Sequence, residues 1–181
     1  MITKMIEIEN LKFPKDYIFS FKDPNGGIWL NKVPDEENTY QLGVSSMIAV
    51  KLEKIVKLNF LDLYKNTDKL IDNEIFLFLK GFNFEVNLFA PINAKIIKFN
   101  SLLEECSEEE PVVLTQESVY DEHWLLEIET SEEINASNSW LRPNDKKFEK
   151  IIKMIIRNDK VLHDRCCPSL LDSDVVRRLK K

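Results

Sequence analysis

Residues 74–92 constrain the fold more than any other part of the sequence. They begin with a continuous apolar run at residues 75–79, pass through Lys80-Gly81, and continue with Phe82, Phe84, Val86 and Leu88 in alternation with polar residues. Alternation with a period of two places the apolar and polar sets on opposite faces of a strand. The segment therefore predicts a β-hairpin that turns at Lys80-Gly81, with its aromatic side chains on one face of the sheet.

The rest of the first 130 residues is also strand-like. Residues 19–21 and 28–30 flank a turn sequence that contains Asn-Gly-Gly, and this arrangement predicts a second hairpin. Ser45 precedes apolar residues at helical spacing, which predicts a short helix over residues 45–52. Further strands are predicted over residues 55–60, 95–99 and, as the last strand, 124–128.

Beyond Thr130 the pattern becomes helical. The sequence Pro-Asn-Asp at 143–145 can cap a helix, and the residues that follow form an apolar stripe opposite several lysines: Phe148, Ile151, Ile152, Ile155 and Ile156. Such a stripe packs on the body of the protein or docks another protein. We expect a mainly β domain over residues 1–135 and a helical, basic C-terminal extension over residues 136–181.

The charge of −6 is unevenly distributed. Residues 142–181 contain 12 Lys and Arg against six Asp and Glu, whereas residues 1–141 contain 25 acidic and 13 basic residues. An acidic body repels the phosphate backbone, so we expect no nucleic-acid partner. The basic tail, with Arg177-Arg178, admits a nucleic-acid or acidic partner as an alternative, but it lacks the interleaved aromatic residues used for base stacking.

Residue usage also argues against several other classes of protein. The N-terminal residues include acidic residues and no arginine, and no apolar run is long enough to span a bilayer, so we expect a cytoplasmic protein without a membrane partner. The three cysteines do not suggest a disulfide framework. The adjacent Cys166 and Cys167, near His163, fit zinc spacing poorly, and we expect no metal site. No nucleophile elbow or phosphate-binding glycine loop is present, so we expect no enzymatic activity.

Four stretches, in order, resemble the H-protein family of the glycine cleavage system, over roughly residues 11–130. They are Leu11 to Tyr17 with Gly27 to Leu30; Leu42 to Ser46 with Leu52, Ile55 and Val56; Ala90 to Ile96 with Asn100; and Pro111 to Leu114 through Tyr120 to Leu125. The resemblance implies a barrel-sandwich hybrid fold. It also implies a non-catalytic carrier whose lipoyl group is attached to a lysine at the tip of a hairpin.

The position of that lysine differs in this chain. In the family the lipoyl lysine lies eight residues before a proline that corresponds to Pro91, and the residue there is Asn83. An asparagine amide is not nucleophilic and cannot carry the arm. Lys80 is an alternative lipoyl site if the turn has shifted, and it is also explained as a solvated lysine beside a turn.

Two functions follow from this resemblance. In the first, the chain is a non-lipoylated, H-protein-like binding, scaffold or regulatory subunit without a cofactor, whose partners are other proteins, among them glycine cleavage enzymes or other lipoate-dependent enzymes. In the second, the chain is a working carrier with covalent lipoate on Lys80, serving glycine decarboxylation or lipoate-dependent sulfur oxidation.

Overall fold

The computed structural model describes residues 4–23, 25–61, 67–135 and 140–166. The strands span Met5–Ile8 (β1), Leu11–Pro14 (β2), Ile18–Ser20 (β3), Ile28–Lys32 (β4), Thr39–Val44 (β5), Lys54–Ile55 (β6), Lys57–Phe60 (β7), Lys69–Leu70 (β8), Ile75–Lys80 (β9), Glu85–Phe89 (β10), Ala94–Phe99 (β11), Val112–Val113 (β12), Leu126–Glu129 (β13) and Trp140–Leu141 (β14). The helices span Ser46–Leu52 (α1), Ser101–Glu104 (α2), Lys146–Asn158 (α3) and Lys160–Cys166 (α4), and Ser118–Tyr120 forms one 3-10 turn.

Two antiparallel sheets carry most of the strands. The larger has seven strands in the order β14-β3-β4-β5-β13-β11-β8, and the smaller has three in the order β10-β9-β7. Two strand pairs, β1 with β2 and β12 with β6, complete the β structure of the described residues. The expectation of a mainly β protein with C-terminal helices is confirmed.

One buried core joins both sheets and the C-terminal helices. On β9 and β10 the side chains of Leu79 and Val86 lie directly opposite each other and are buried. Burial of these alternating apolar side chains is the main force that holds the small sheet against the rest of the protein. The predicted hairpin over residues 74–92 is therefore confirmed.

Trp29 is the largest fully buried side chain and lies on β4. Its indole Nε1 donates to the carbonyl oxygen of Val44 at 2.8 Å and to that of Val119 at 3.1 Å. The ring lies directly over Gly43 on β5, where a Cβ atom would stand 2.3 Å from the nearest ring carbon. A glycine at position 43 is therefore required for this packing.

The apolar stripe of α3 packs on the β domain, as one of the two sequence interpretations predicted. Phe148 is fully buried, and its ring centroid lies 5.1 Å from that of Phe13, 5.2 Å from that of Phe19 and 5.3 Å from that of Phe21. These edge-on contacts are the arrangement that aromatic rings prefer. The helix therefore contributes to the same core as the strands, and the domain boundary at residue 135 stays a prediction.

The predicted short helix after Ser45 and the hairpin around residues 19–30 are confirmed as α1 and as the β3–β4 pair. Two details differ from the sequence prediction. Phe82 does not lie on a strand face, because the turn spans residues 81–84 and exposes this side chain. Residues 124–128 do not form the last strand, since β13 begins at Leu126 and β14 follows it.

Several predictions fall on parts of the chain that are not described. Cys167 lies outside the described residues, as does the rest of the basic tail beyond residue 166, including Arg177 and Arg178. Within the described ranges, no helix combines the length and apolar character needed to cross a membrane.

Candidate functional site

The hairpin formed by β9 and β10 ends in a four-residue turn. Lys80 and Glu85 are the last paired residues, and the Gly81 amide donates to the Phe84 carbonyl oxygen at 2.7 Å. Phe82 and Asn83 therefore form the apex of the turn, and both are exposed. That Asn83 occupies the position of the family's modified lysine stays a prediction.

Close backbone packing fixes the start of this turn. A Cβ atom on Gly81 would stand 2.9 Å from the carbonyl oxygen of Leu52 and 2.9 Å from that of Lys54. Both oxygens belong to the backbone, so neither can rotate away. Glycine lets the hairpin lie directly against the end of α1 and the start of β6. The turn is thus held at a defined place on the body.

Lys80 occupies a different position from the apex. It is the last residue of the central strand of the small sheet, and its Cα lies opposite both Lys57 and Glu85. Its carbonyl oxygen accepts a hydrogen bond from the Val56 amide at 2.8 Å. Its side chain is half-buried, on the sheet face opposite the buried Leu79. Lys80 is thus held in the sheet, three residues from Asn83, and the role of each residue in lipoylation stays a prediction.

The apex has a cationic neighbour, the side chain of Lys54. The Lys54 ammonium lies 5.8 Å from the centre of the Phe82 ring, and Lys54 pairs across the strands with Val113, which is 53% exposed. Phe82 itself is 56% exposed. Two exposed apolar side chains, one aromatic and one aliphatic, are therefore both neighbours of Lys54 at the hairpin tip.

The C-terminal helix α4 reaches the same region. The guanidinium of Arg165 lies 5.9 Å from the centre of the Phe84 ring, and its Nη1 contacts the carboxylate of Glu53 at 2.8 Å. The same nitrogen donates to the carbonyl oxygen of Val50. This contact could not be predicted from the sequence, because nothing in the spacing of Arg165 relates it to residues more than 80 positions earlier.

Other groups with shifted pKa values serve the packing of the protein. Burial raises the pKa of Tyr17 to about 12 and raises that of Tyr120 as well. The Tyr17 hydroxyl donates to the Tyr120 carbonyl oxygen at 2.6 Å, and the Ser46 amide donates to the Tyr120 hydroxyl oxygen at 2.9 Å. Buried tyrosines joined in this way are structural groups and do not form a proton-transfer site near the hairpin.

A buried carboxylate supports the base of the hairpin. Asp23 is 2% exposed, and burial raises its pKa, although two backbone hydrogen bonds oppose the shift. Its Oδ1 accepts from the Asn25 amide at 2.7 Å and its Oδ2 from the Phe89 amide at 3.1 Å. Asp23 therefore ties the β3–β4 turn to the end of β10, and both carboxylate oxygens are used for structure.

The groups near the C-terminus do not assemble into a metal site in the described part of the chain. His163 Nδ1 lies 3.6 Å from the Asp164 carboxylate, and the side chains of Cys166 and Cys167 are not described. Among the side chains that the structure describes, which end at residue 165, no three from His, Cys, Asp or Glu are grouped so that they could hold an ion.

Comparison with known proteins supports the resemblance. No protein-family model matches the chain. A glycine cleavage system H protein of Staphylococcus epidermidis is 29% identical over 98 residues, which is 54% of this chain and 71% of that protein. The glycine cleavage system H protein of Staphylococcus haemolyticus is 26% identical over the same coverage.

A solved structure agrees in fold. The crystal structure of a glycine cleavage system H protein from Mycobacterium marinum superposes with a TM-score of 0.53, at 13% identity, over 72% of this chain and 93% of that one. The similarity confirms the expected barrel-sandwich hybrid fold. The chain is therefore similar to glycine cleavage system H proteins in sequence over about half of its length and in fold over most of it.

Proposed function

We propose that the chain is an H-protein-like protein that carries no lipoyl group and acts by binding other proteins. The observation that carries this proposal is the position of Asn83 at the exposed apex of the β9–β10 turn. Attachment of a lipoyl group requires a nucleophilic amine, and the asparagine amide does not supply one. The apex residue therefore does not fit the group that the fold family implies, and we derive no chemical step through it.

A binding, scaffold or regulatory role is supported by the surface around the apex. Phe82 projects from the turn with 56% of its surface exposed, beside the Lys54 ammonium. Aromatic side chains that anchor in a partner's pocket contribute a large share of the energy at many interfaces. We infer that the partners are proteins, and that they include the glycine cleavage enzymes or other lipoate-dependent enzymes, because the sequence relatives are named for that system.

The first experiment is an intact-mass measurement on the full chain co-expressed with a lipoate ligase and supplied with lipoate. The expected mass is that of the unmodified chain. In the Asn83→Lys variant we expect one added lipoyl group at residue 83, because the apex then presents an exposed amine. The matched control is Asn83→Arg, which introduces the same charge without an acylable amine.

Lys80 is the alternative site in the same experiment. A lipoyl group on the unaltered chain, mapped to Lys80 and lost in the Lys80→Arg variant, would overturn the proposal and make the chain a lipoyl carrier. An unmodified chain together with a lipoylated Asn83→Lys variant would show that the ligase recognises the turn and that only the apex side chain prevents modification.

Partner binding is tested separately by titrating the full chain into the purified glycine cleavage enzymes of the same cells. Truncation of a buried aromatic anchor typically weakens binding at least about tenfold, and we expect this effect for Phe82→Ala. The control is Met154→Ala on α3, which removes another exposed apolar side chain. Equal affinities for the two variants would contradict a role of the apex in binding.

A further inference from the structure

A surface groove lies beside the end of α4. It has a volume of 370 Å³ and is lined by Val50, Glu53, Leu114, Thr115, Gln116 and Arg165, among others. One side of the groove belongs to the end of α1, and the other belongs to the segment that follows β12. Arg165 is itself a lining residue, so the described part of the chain ends, at residue 166, close to this groove.

The end of α4 is held in place at the groove. Arg165 contacts the Glu53 carboxylate at 2.8 Å, donates to the Val50 carbonyl oxygen, and stacks on Phe84 at 5.9 Å. A guanidinium engaged by a carboxylate, a carbonyl oxygen and an aromatic ring has little freedom to move. The starting point of residues 167–181 is therefore fixed next to the groove and next to the hairpin turn.

The residues that precede the lining residue Leu114 in the sequence are first apolar and then acidic. The Leu114 amide donates to the Glu53 carbonyl oxygen at 2.8 Å, and the preceding residue, Val113, is 53% exposed. Upstream of Val113, residues 104–110 contain five glutamates and no lysine or arginine. The Ser107 amide donates to the Glu110 carbonyl oxygen at 3.1 Å, so this acidic segment turns back immediately before the strand.

Residues 167–181 have a matching composition. Their sequence has apolar residues at intervals of four, Leu171, Val175 and Leu179. It contains two aspartates, Asp172 and Asp174, and four basic residues, Arg177, Arg178, Lys180 and Lys181, which lie in its last five positions and leave it with a net positive charge. Fifteen extended residues reach about 50 Å at most, and the five residues from Glu110 to Leu114 span at most about 14 Å. The segment is therefore long enough to follow the groove and reach the acidic segment.

We propose that residues 167–181 bind in cis to this surface. Their apolar side chains lie in the groove and over Val113, and their basic side chains face the glutamates of residues 104–110. Tethering at Arg165 makes the contact intramolecular, which raises the effective concentration of the segment. Because Val113 pairs with Lys54, and Lys54 lies over Phe82, the bound segment covers one flank of the hairpin apex.

This contact would make the segment a competitor of any protein that binds the apex. The inference goes beyond the proposed function and does not depend on whether residue 83 or residue 80 carries a lipoyl group. It concerns only the occupant of the groove and of the acidic surface beside it.

The test is zero-length cross-linking of the full chain with a carbodiimide, which joins a lysine amine to a glutamate carboxyl with loss of one water. We expect links from Lys180 or Lys181 to Glu108, Glu109 or Glu110 within one molecule. The Arg177→Glu/Arg178→Glu variant keeps both lysines but removes the charge complementarity, and its yield of these links should fall roughly fivefold. Its matched control is Lys147→Glu/Lys150→Glu on the exposed side of α3, which changes the net charge equally and should leave the yield unaltered.

A second measurement follows the groove itself. In the Leu171→Asp/Val175→Asp variant of the full chain, the Val113 and Leu114 amides should exchange with solvent severalfold faster than in the unaltered chain. Faster exchange together with intramolecular links supports the proposal. Links that form only between two molecules would assign the surface to a second copy of the chain and overturn it, as would unchanged exchange at both amides.

Discussion

The guanidinium of Arg165 lies 5.9 Å from the centre of the Phe84 ring, so the C-terminal helix α4 contacts the hairpin whose apex is Asn83. The Phe84 carbonyl oxygen also accepts the hydrogen bond from the Gly81 amide that closes the turn. The end of the helix and the geometry of the apex are therefore physically coupled through one residue.

The first prediction concerns this coupling. We expect Arg165→Ala to accelerate exchange of the Gly81 amide about two- to fivefold, because an exposed cation–π contact contributes about 0.5–1 kcal/mol. Hydrogen exchange followed by NMR measures the effect. The control is Arg157→Ala, which removes an exposed arginine from the neighbouring helix α3. The same acceleration in both variants would contradict a specific contact between Arg165 and the turn.

The second prediction concerns the glycine that begins the turn. Gly81→Ala should lower the free energy of unfolding by about 1–3 kcal/mol, because the new Cβ atom would stand 2.9 Å from two backbone oxygens. Urea unfolding monitored by circular dichroism measures the change. Asn83→Ala, at the exposed apex of the same turn, should stay within about 0.5 kcal/mol of the unaltered chain. A Gly81→Ala variant as stable as Asn83→Ala would show that the hairpin does not pack closely on Leu52 and Lys54.

The third prediction concerns the packing of α3. Phe148 is fully buried against three other phenylalanines, so Phe148→Ala should lower the free energy of unfolding by about 3–5 kcal/mol. Met154 lies on the same helix and is 55% exposed, so Met154→Ala should cost less than about 0.5 kcal/mol. A different result would be two separate unfolding transitions, of which Phe148→Ala shifts only the first. It would argue that the helix is not part of the common core.

The fourth prediction concerns pH. Burial lowers the pKa of His123 from 6.5, although the negative charge of Glu122 partly opposes the shift. The neutral imidazole is therefore favoured more strongly in the folded state than in the unfolded state. The stability that this preference contributes is fully present above the unfolded pKa and is lost as the pH falls through the lower folded pKa. His123→Gln should therefore lose less stability than the unaltered chain when the pH is lowered below 6.5.

The urea midpoint, followed as a function of pH for both proteins, measures this difference. His123 Nδ1 also lies 2.9 Å from the Ser118 hydroxyl oxygen, so a constant offset between the two curves is expected from the lost contact. Only a change in slope reports the titration of the ring. Parallel curves across the acidic range would contradict the prediction.

Local patterns predicted the elements that bury their own side chains. The alternation around Val86 and Leu88 predicted the hairpin, and the stripe from Phe148 to Ile156 predicted a helix with one apolar face, because periodicity reports which face of an element avoids water. Whether that face packs on the body or docks another protein was left open. The prediction that Phe82 lies on a strand face was wrong for a related reason. The alternation continues through the turn, and only the hydrogen bond between Gly81 and Phe84 shows where the strand ends.

The sequence by itself determined which side chains the hairpin carries, with Asn83 eight residues before Pro91 and Lys80 three residues earlier. Only the tertiary structure decided that Asn83 lies at the apex while Lys80 lies within the small sheet, and that Arg165 reaches the turn from the C-terminus. The physical reason is that side-chain chemistry is a property of single residues. Exposure and contact depend on how sheets and helices far apart in the sequence pack against one another.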